Sequence, residues 1–563
     1  MLSVESEKRL SSLLAWGGAL VALIVTDRIS LDPVNVGKMA TLTVFAGALL
    51  ALMLTKAQAI FRESKVPLIV LSALLLTFLI SILLSDNSWE RGFFGAYGRN
   101  TGLLTYCALS IFLFSSSIIK KSSNVVKVLN GLFFVGFVNL IYNLMVISGN
   151  DIFTWKNPYG TPIGTFGNPN FISSFTGMFI TAAVGYSVFY LKSLKIRIIY
   201  LLQIPISVFI IYKTGSIQGY IVALLGSTLI AAFYLWFKLK NKMLFSAFCI
   251  FALTSGVVGI LGMLQKGPLS AVLYKPSVTY RGEYWAAGIN MGLSKPFFGQ
   301  GLDSYGTYYR LYREPSAMIA PGPSVSTDTA HNVFIDVFSG SGFIGLILYM
   351  LVIALALFSS FKVIKRMKSP DGIFIALFTS WVCYLAQSVI SINQIGLAVW
   401  GWILTGLIIG YPLLQDSAKI VATEGNAQRK KVSKSKEPNV VSAGTAVSIF
   451  VGAIVATLVA LPPFVTDAKM RDAISKNDAE SVKAQASAFP VDTLRVNRAA
   501  VALARGGMTQ LAREVTQVAI SKYPSDFAGW FTLYELTPAA DSQRAVLKAK
   551  LHEIDPLNPE FQK

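Results

Sequence analysis

The chain has only two histidines, His331 and His552, and the first stands where proton chemistry would be useful. His331 lies in TDTAHNVFIDVFSGSGFIG, where a polar segment, 265–332, gives way to a long apolar run. An imidazole exchanges a proton near neutral pH, so one held at a membrane–water boundary suits activation of an acceptor hydroxyl. An interfacial or capping histidine would satisfy the same position. Asn332 is placed either to orient His331 or to cap the helix that follows. The same segment carries Lys266, Lys275, Arg281, Lys295, Arg310 and Arg313 against Glu283, Asp303, Glu314 and Asp328, with ten aromatic residues among them. Guanidinium groups are planar, permanently charged forks that match phosphate oxygens, and aromatic faces stack on sugar rings. Arg281 in TYRGEYW precedes Tyr284 and Trp285, the latter by four residues and so on the same face of a helix. Arg99, in YGRNTG, is a further fixed cation. Together these residues fit a site for a phosphate-linked sugar. An aromatic belt and lipid-headgroup contacts are the plain alternatives.

The elements that position them are apolar helices. Hydrophobic residues make up 53% of the 563 and charged residues 14%, more apolar surface than a soluble domain can hide. Thirteen stretches have about the length that crosses a hydrocarbon core. They are roughly 10–26, 38–55, 66–84, 101–119, 124–147, 170–191, 197–212, 217–236, 244–264, 333–358, 372–389, 395–413 and 442–462. The expected fold is all-α: a polytopic bundle of about thirteen membrane helices with a large outer loop, 265–332, and a C-terminal helical-repeat domain. The first stretch lacks a small-residue cleavage site and reads as a retained helix rather than a signal peptide.

Lysine and arginine alternate from side to side of these spans. With the N-terminus inside, the inside segments hold twice the basic residues of the outside segments that precede the last span, which puts 265–332 and 463–563 outside. The net charge of +20 is then largely topological and calls for no nucleic-acid partner. Cys107, Cys249 and Cys383 all fall inside spans and read as packing residues. With two distant histidines and no acidic cluster, no metal site is expected. Residues 414–441 read as a disordered basic cytoplasmic linker, followed by a last span at 442–462. In 463–563, Pro490, Pro524 and Pro556 recur at 34 and 32 residues and close helix-pair patterns that resemble tetratricopeptide repeats. Such a stack offers a concave face to a protein partner, whereas a plain helical bundle offers none.

The run TYRGEYWAAGINMGLSKPFFGQGLDSYG followed by HNVF resembles the outer-loop signature of the superfamily of O-antigen ligases, O-antigen polymerases and protein O-oligosaccharyltransferases. YGRNTG (97–102), GNPNF (167–171), KTGSIQG (213–219) and QSVISINQIG (387–396) support the resemblance in chain order, over roughly residues 90–415. Many relatives carry arginine where this chain has Gln218, so that contact differs. The resemblance implies that residues 1–413 form a membrane glycan ligase or polymerase domain. Such an enzyme moves a glycan from an undecaprenyl-pyrophosphate carrier to a glycan, lipid or protein acceptor at the outer face of the bacterial inner membrane. It implies an inverting reaction needing neither metal nor cofactor. It also implies His331 as general base or acceptor-orienting residue, Arg281 and Arg99 as pyrophosphate ligands, and Asn332, Trp285, Tyr284 and Gln218 in supporting roles. Two other classes compete. A transporter of lipid-linked sugars would need ionisable groups inside its spans, where Asp336 is the main candidate. A non-catalytic scaffold would leave the arginine–aromatic segment without a purpose.

Overall fold

The structure, a computed structural model, describes residues 3–57, 64–427 and 443–562, which are helical throughout their regular elements, with no strand among them. Among the described residues, eleven helices are long and apolar enough to cross a membrane. Leu103–Ser117 is a shorter apolar helix, and Val4–Leu23 opens with Glu5, Glu7, Lys8 and Arg9. These thirteen correspond one to one with the stretches read from hydropathy. Their environments differ: the window of Pro169–Phe189 is 89% buried and that of Lys242–Met263 is not buried at all. The first is therefore a central span, and the second faces its apolar surface outward.

Close helix approach rests on small residues, as expected where lipid offers no hydrophobic drive for association. Helix Ala443–Ser475 packs along Asn35–Leu54. At their crossing a Cβ on Gly47 would stand 2.4 Å from the carbonyl oxygen of Gly452, and one on Gly452 would stand 2.5 Å from that of Gly47. Near the same end of the bundle Lys38 is completely buried. Its ammonium donates to the carbonyls of Val21, Ala22 and Ile24 at 3.0, 2.7 and 3.0 Å, closing the C-terminus of the first helix where the helix dipole favours a cation. An ionisable side chain in a span is thus spent on helix capping.

Three boundaries depart from the sequence reading. The twelfth span does not stop at 413: its helix runs Ile395–Ala427, so the first half of the expected linker is helical. Residues 428–442, the rest of that linker, lie outside the described residues. The last span extends past Pro462 and Pro463 to Ser475, carrying the chain directly into the C-terminal domain. Helix Val333–Arg366 is broken at Gly342, whose φ of 66° and ψ of −168° are open to glycine. A Cβ there would lie 2.4 Å from the carbonyl of Phe297, so the break lets segment 296–301 pack against the short helix that begins at Val333. Backbone bonds from Gln300 to Ser339 (2.8 Å) and from Gly301 to Gly340 (3.0 Å) seal that contact.

Segment 265–332 is itself largely helical, with Pro276–Ser294 and Tyr305–Tyr312 packed together around Tyr284, Met291, Tyr305 and Tyr309. The C-terminal domain, five short helices between Ala479 and Ile554, docks on this end of the bundle. Asp555 is fully buried and takes both Arg310 (2.8 Å) and Arg313 (2.7 Å). Arg310 also covers the ring of Phe527, 3.9 Å from its centroid. Glu90 accepts from the backbone of Val491 at 2.7 Å and from Lys522 at 2.5 Å. Removing one partner of a buried, charged cluster costs roughly 3–5 kcal/mol because the others are left unpaired. Asp555→Ala should therefore release the C-terminal domain from the membrane domain. Limited proteolysis in detergent would read this as new cleavage beyond Ser475 with the membrane domain intact.

Candidate active site

Asp303 anchors the backbone of the YGRNTG turn to the 265–332 segment. Asp303 accepts from the backbone nitrogens of Ala96 (2.8 Å) and Thr101 (3.2 Å) and from the Thr101 hydroxyl (3.0 Å). Burial raises its carboxyl above the usual range, against the pull of those donors. The turn is tied to the bundle on its other side. The carbonyl of Gly98 accepts from Asn35 at 2.6 Å, and Asn35 accepts from Gln394 at 3.3 Å. Two of the strings singled out in the sequence thus meet through Asn35. GNPNF and KTGSIQG meet separately, where Ser216 donates to Asn170 at 2.8 Å.

Arg99 projects from this turn onto Asp328 and forms a two-pronged ion pair, Nε to Oδ2 at 2.8 Å and Nη2 to Oδ1 at 2.6 Å. Its fork is therefore already engaged by a carboxylate. Arg281 is different. Among the described residues it has no ion-pair partner, and its Nε is buried without a hydrogen bond.

His331 has a positive φ of 54°, in the left-handed region that non-glycine residues seldom adopt. Two contacts hold the backbone there: its own N–H donates to Thr329 Oγ1 at 3.2 Å, and the N–H of Ala330 donates to Asp336 at 2.7 Å. Asp336 thus pins the loop before His331, which gives the strongest transporter candidate a structural role. Asn332 resolves to a helix cap: its side-chain oxygen accepts from Phe334 (3.0 Å) and Ile335 (3.2 Å). The His331 ring lies 5.8 Å from that of Tyr284, tilted by 32°, and its nitrogens make no hydrogen bond among the described residues. Burial first, then Arg99 and Arg281, push its pKa well below the ordinary histidine range, with Asp328 opposing. The downward shift favours the neutral imidazole, with its lone pair free, at physiological pH.

His331, Tyr284, Arg99, Asp303 and Asp328 line a cleft of about 480 Å³. Its opposite wall comes from the C-terminal domain: Asp492, Thr493, Asn497, Asp526 and Ala528. Arg91 bridges the two walls, donating to Thr307 on one side and to Thr493 (2.6 Å) on the other. Four sequence candidates, Arg281, Asn332, Gln218 and Trp285, do not line the cleft, although Arg281 lies near enough to His331 to act on its charge. Gln218 is buried between helices, receiving a hydrogen bond from Ser174 at 3.3 Å, and does not line the cleft. Trp285 packs in the aromatic cluster around Tyr284 with its indole N–H unpartnered. Asp303, Arg91 and the C-terminal wall were not singled out as site residues, because their roles depend on contacts between segments far apart in sequence. No group of three or more His, Cys, Asp or Glu side chains among the described residues is placed to hold a metal ion.

Eleven membrane-length helices among the described residues, bearing a polar cleft lined by Arg91 and Arg99 at one end, define a multi-pass membrane protein with an open, reaction-sized cleft. The O-antigen ligase family model matches residues 202–350, which include Arg281, Tyr284, Trp285 and His331. This part of the chain is thus similar to the O-antigen ligase family, which supports a membrane glycan ligase or polymerase in general terms. The match leaves out Arg99 and the whole C-terminal wall. No curated protein matches the chain.

Proposed function

We propose that the protein transfers a glycan from an undecaprenyl-pyrophosphate carrier to an acceptor hydroxyl or amine at the outer face of the inner membrane, with inversion at the anomeric carbon. The acceptor oxygen attacks C1 of the donor sugar and its proton passes to His331. The bond from C1 to the pyrophosphate oxygen breaks, and the electron pair leaves with the carrier. Charge grows on that oxygen in the transition state, and a fixed guanidinium beside it stabilises the change. Arg281, with no carboxylate to satisfy, is the donor ligand; Arg99, paired with Asp328, sets the field around His331 and keeps it neutral. The single observation that carries this reading is the His331 imidazole, free of hydrogen bonds, in a cleft with Arg99 and Arg281 near it. The scheme needs no metal ion and no nucleotide sugar.

The same end of the bundle bears 265–332 and the C-terminal domain, which fits the orientation read from the basic residues. Single cysteines placed in either segment should react with an impermeant maleimide from outside the cell, and those in 428–442 only after permeabilisation. Labelling of 428–442 in intact cells would reverse the orientation and remove the donor assignment with it. Deletion of the gene should accumulate carrier-linked glycan. Long chains on the carrier are the expected pattern for a ligase and single repeat units for a polymerase. An unchanged carrier pool would refute both.

A further inference from the structure

We propose that the C-terminal domain is a working wall of the active site and that Asn497 contacts the acceptor glycan through its sugar hydroxyls. This inference rests on the glycan-transfer reading above and names the acceptor side of the same cleft.

Asn497 is 7% exposed and belongs to the cleft wall facing His331. Both its side-chain oxygen and its side-chain nitrogen are buried, and neither has a hydrogen-bond partner. A carboxamide offers two donors and an acceptor with two lone pairs. Buried polar groups in folded proteins are almost always satisfied, so a fully orphaned one at a cleft calls for an explanation. The neighbouring polar groups are already engaged. Asp492 caps the helix from Thr493, accepting from Leu494 at 2.8 Å, and receives the backbone N–H of Tyr97 at 3.1 Å. Asp526 caps the next helix through Gly529 at 3.2 Å and accepts from Thr493 at 3.3 Å. Asn497 is the group in this wall with both hydrogen-bonding ends free.

The cations nearest His331 belong to the membrane-domain side of the site. Arg99 and Arg281 lie close enough to His331 to depress its pKa, and an anionic pyrophosphate belongs with them. The C-terminal wall presents Asp492 and Asp526 beside Asn497, which disfavours an anion and suits the hydroxyls of an uncharged sugar. The wall is fixed in place by Asp555 with Arg310 and Arg313, and by Glu90 with Lys522. The domain is thus pre-set for recognition rather than tethered loosely beside the bundle.

The test uses the full chain in native membranes. Carrier-linked glycan extracted from the producing cells serves as donor, and the envelope glycan fraction of the deletion strain serves as acceptor. Asn497→Leu keeps the branched heavy-atom outline and removes both polar ends. A purely structural orphan amide would be relieved by that change, leaving transfer as it was. The expected result is at least a tenfold rise in the acceptor KM, with most of the loss in KM rather than in kcat. If Asn497→Leu does not accumulate, Asn497→Asp, which keeps the shape and loses the donors, carries the same comparison. An unchanged acceptor KM in an expressed variant overturns this inference alone, provided His331→Asn is inactive in the same membranes. Absence of transfer by the wild type overturns the underlying reading together with it.

Discussion

His331→Asn should lower glycan transfer by about 10²–10⁴-fold, the usual worth of positioned proton transfer, with normal amounts of protein in the membrane. Asparagine is the informative replacement because His331 sits at φ 54°. Asparagine tolerates that left-handed conformation, whereas alanine bears a steric cost of about 1–2 kcal/mol there. His331→Ala should be as inactive as the asparagine variant but somewhat less stable. A pH profile checks the same role from another side. The protonated imidazole is inactive as a base, and burial with two nearby cations holds the pKa down. Transfer should therefore persist as the pH falls through about 6.5, where an ordinary histidine would be half protonated. A rate that halves there would mean that the base is a different group or that His331 is not enclosed as described.

Arg281→Lys should reduce transfer by about 10- to 100-fold although the charge is kept, because an ammonium cannot reproduce the two-pronged contact to a phosphate. The acid limb of the pH profile should stay where it is, since a cation still faces His331. Arg281→Gln should show the same or a larger loss of rate. In addition, its acid limb should move to higher pH, because removing a like charge raises the histidine pKa. Full activity in Arg281→Lys would place the donor pyrophosphate on other residues.

Much of this site was legible before the fold. The spacing of Arg281, Tyr284 and Trp285 fixes them to one helix, and that helix exists, Pro276–Ser294. The tyrosine then stands beside the His331 ring. What the sequence could not supply was partnership. Nothing in YGRNTG reveals that Arg99 is claimed by Asp328, or that Asp303 holds the turn that presents it, because both carboxylates lie some 200 residues further along the chain. Asn332 was ambiguous between two uses of one oxygen, and helix geometry decides for capping. Hydropathy found the spans because the bilayer imposes a length, yet it missed the run of helix from 414 to 427, where polar composition hides continued backbone hydrogen bonding. The C-terminal domain read as an independent repeat unit. Its docking depends on Asp555 meeting two arginines from the middle of the chain, a pairing no local pattern encodes.

The most direct measurement is transfer by the purified full-length protein in liposomes, with carrier-linked glycan as donor, EDTA present and no nucleotide sugar added. Both free undecaprenyl pyrophosphate and glycosylated acceptor should be counted. The expected result is one carrier pyrophosphate released for each glycan transferred, with His331→Asn forming neither product. Strict dependence on a divalent ion, or glycan transfer without release of the carrier pyrophosphate, would contradict the proposed reaction.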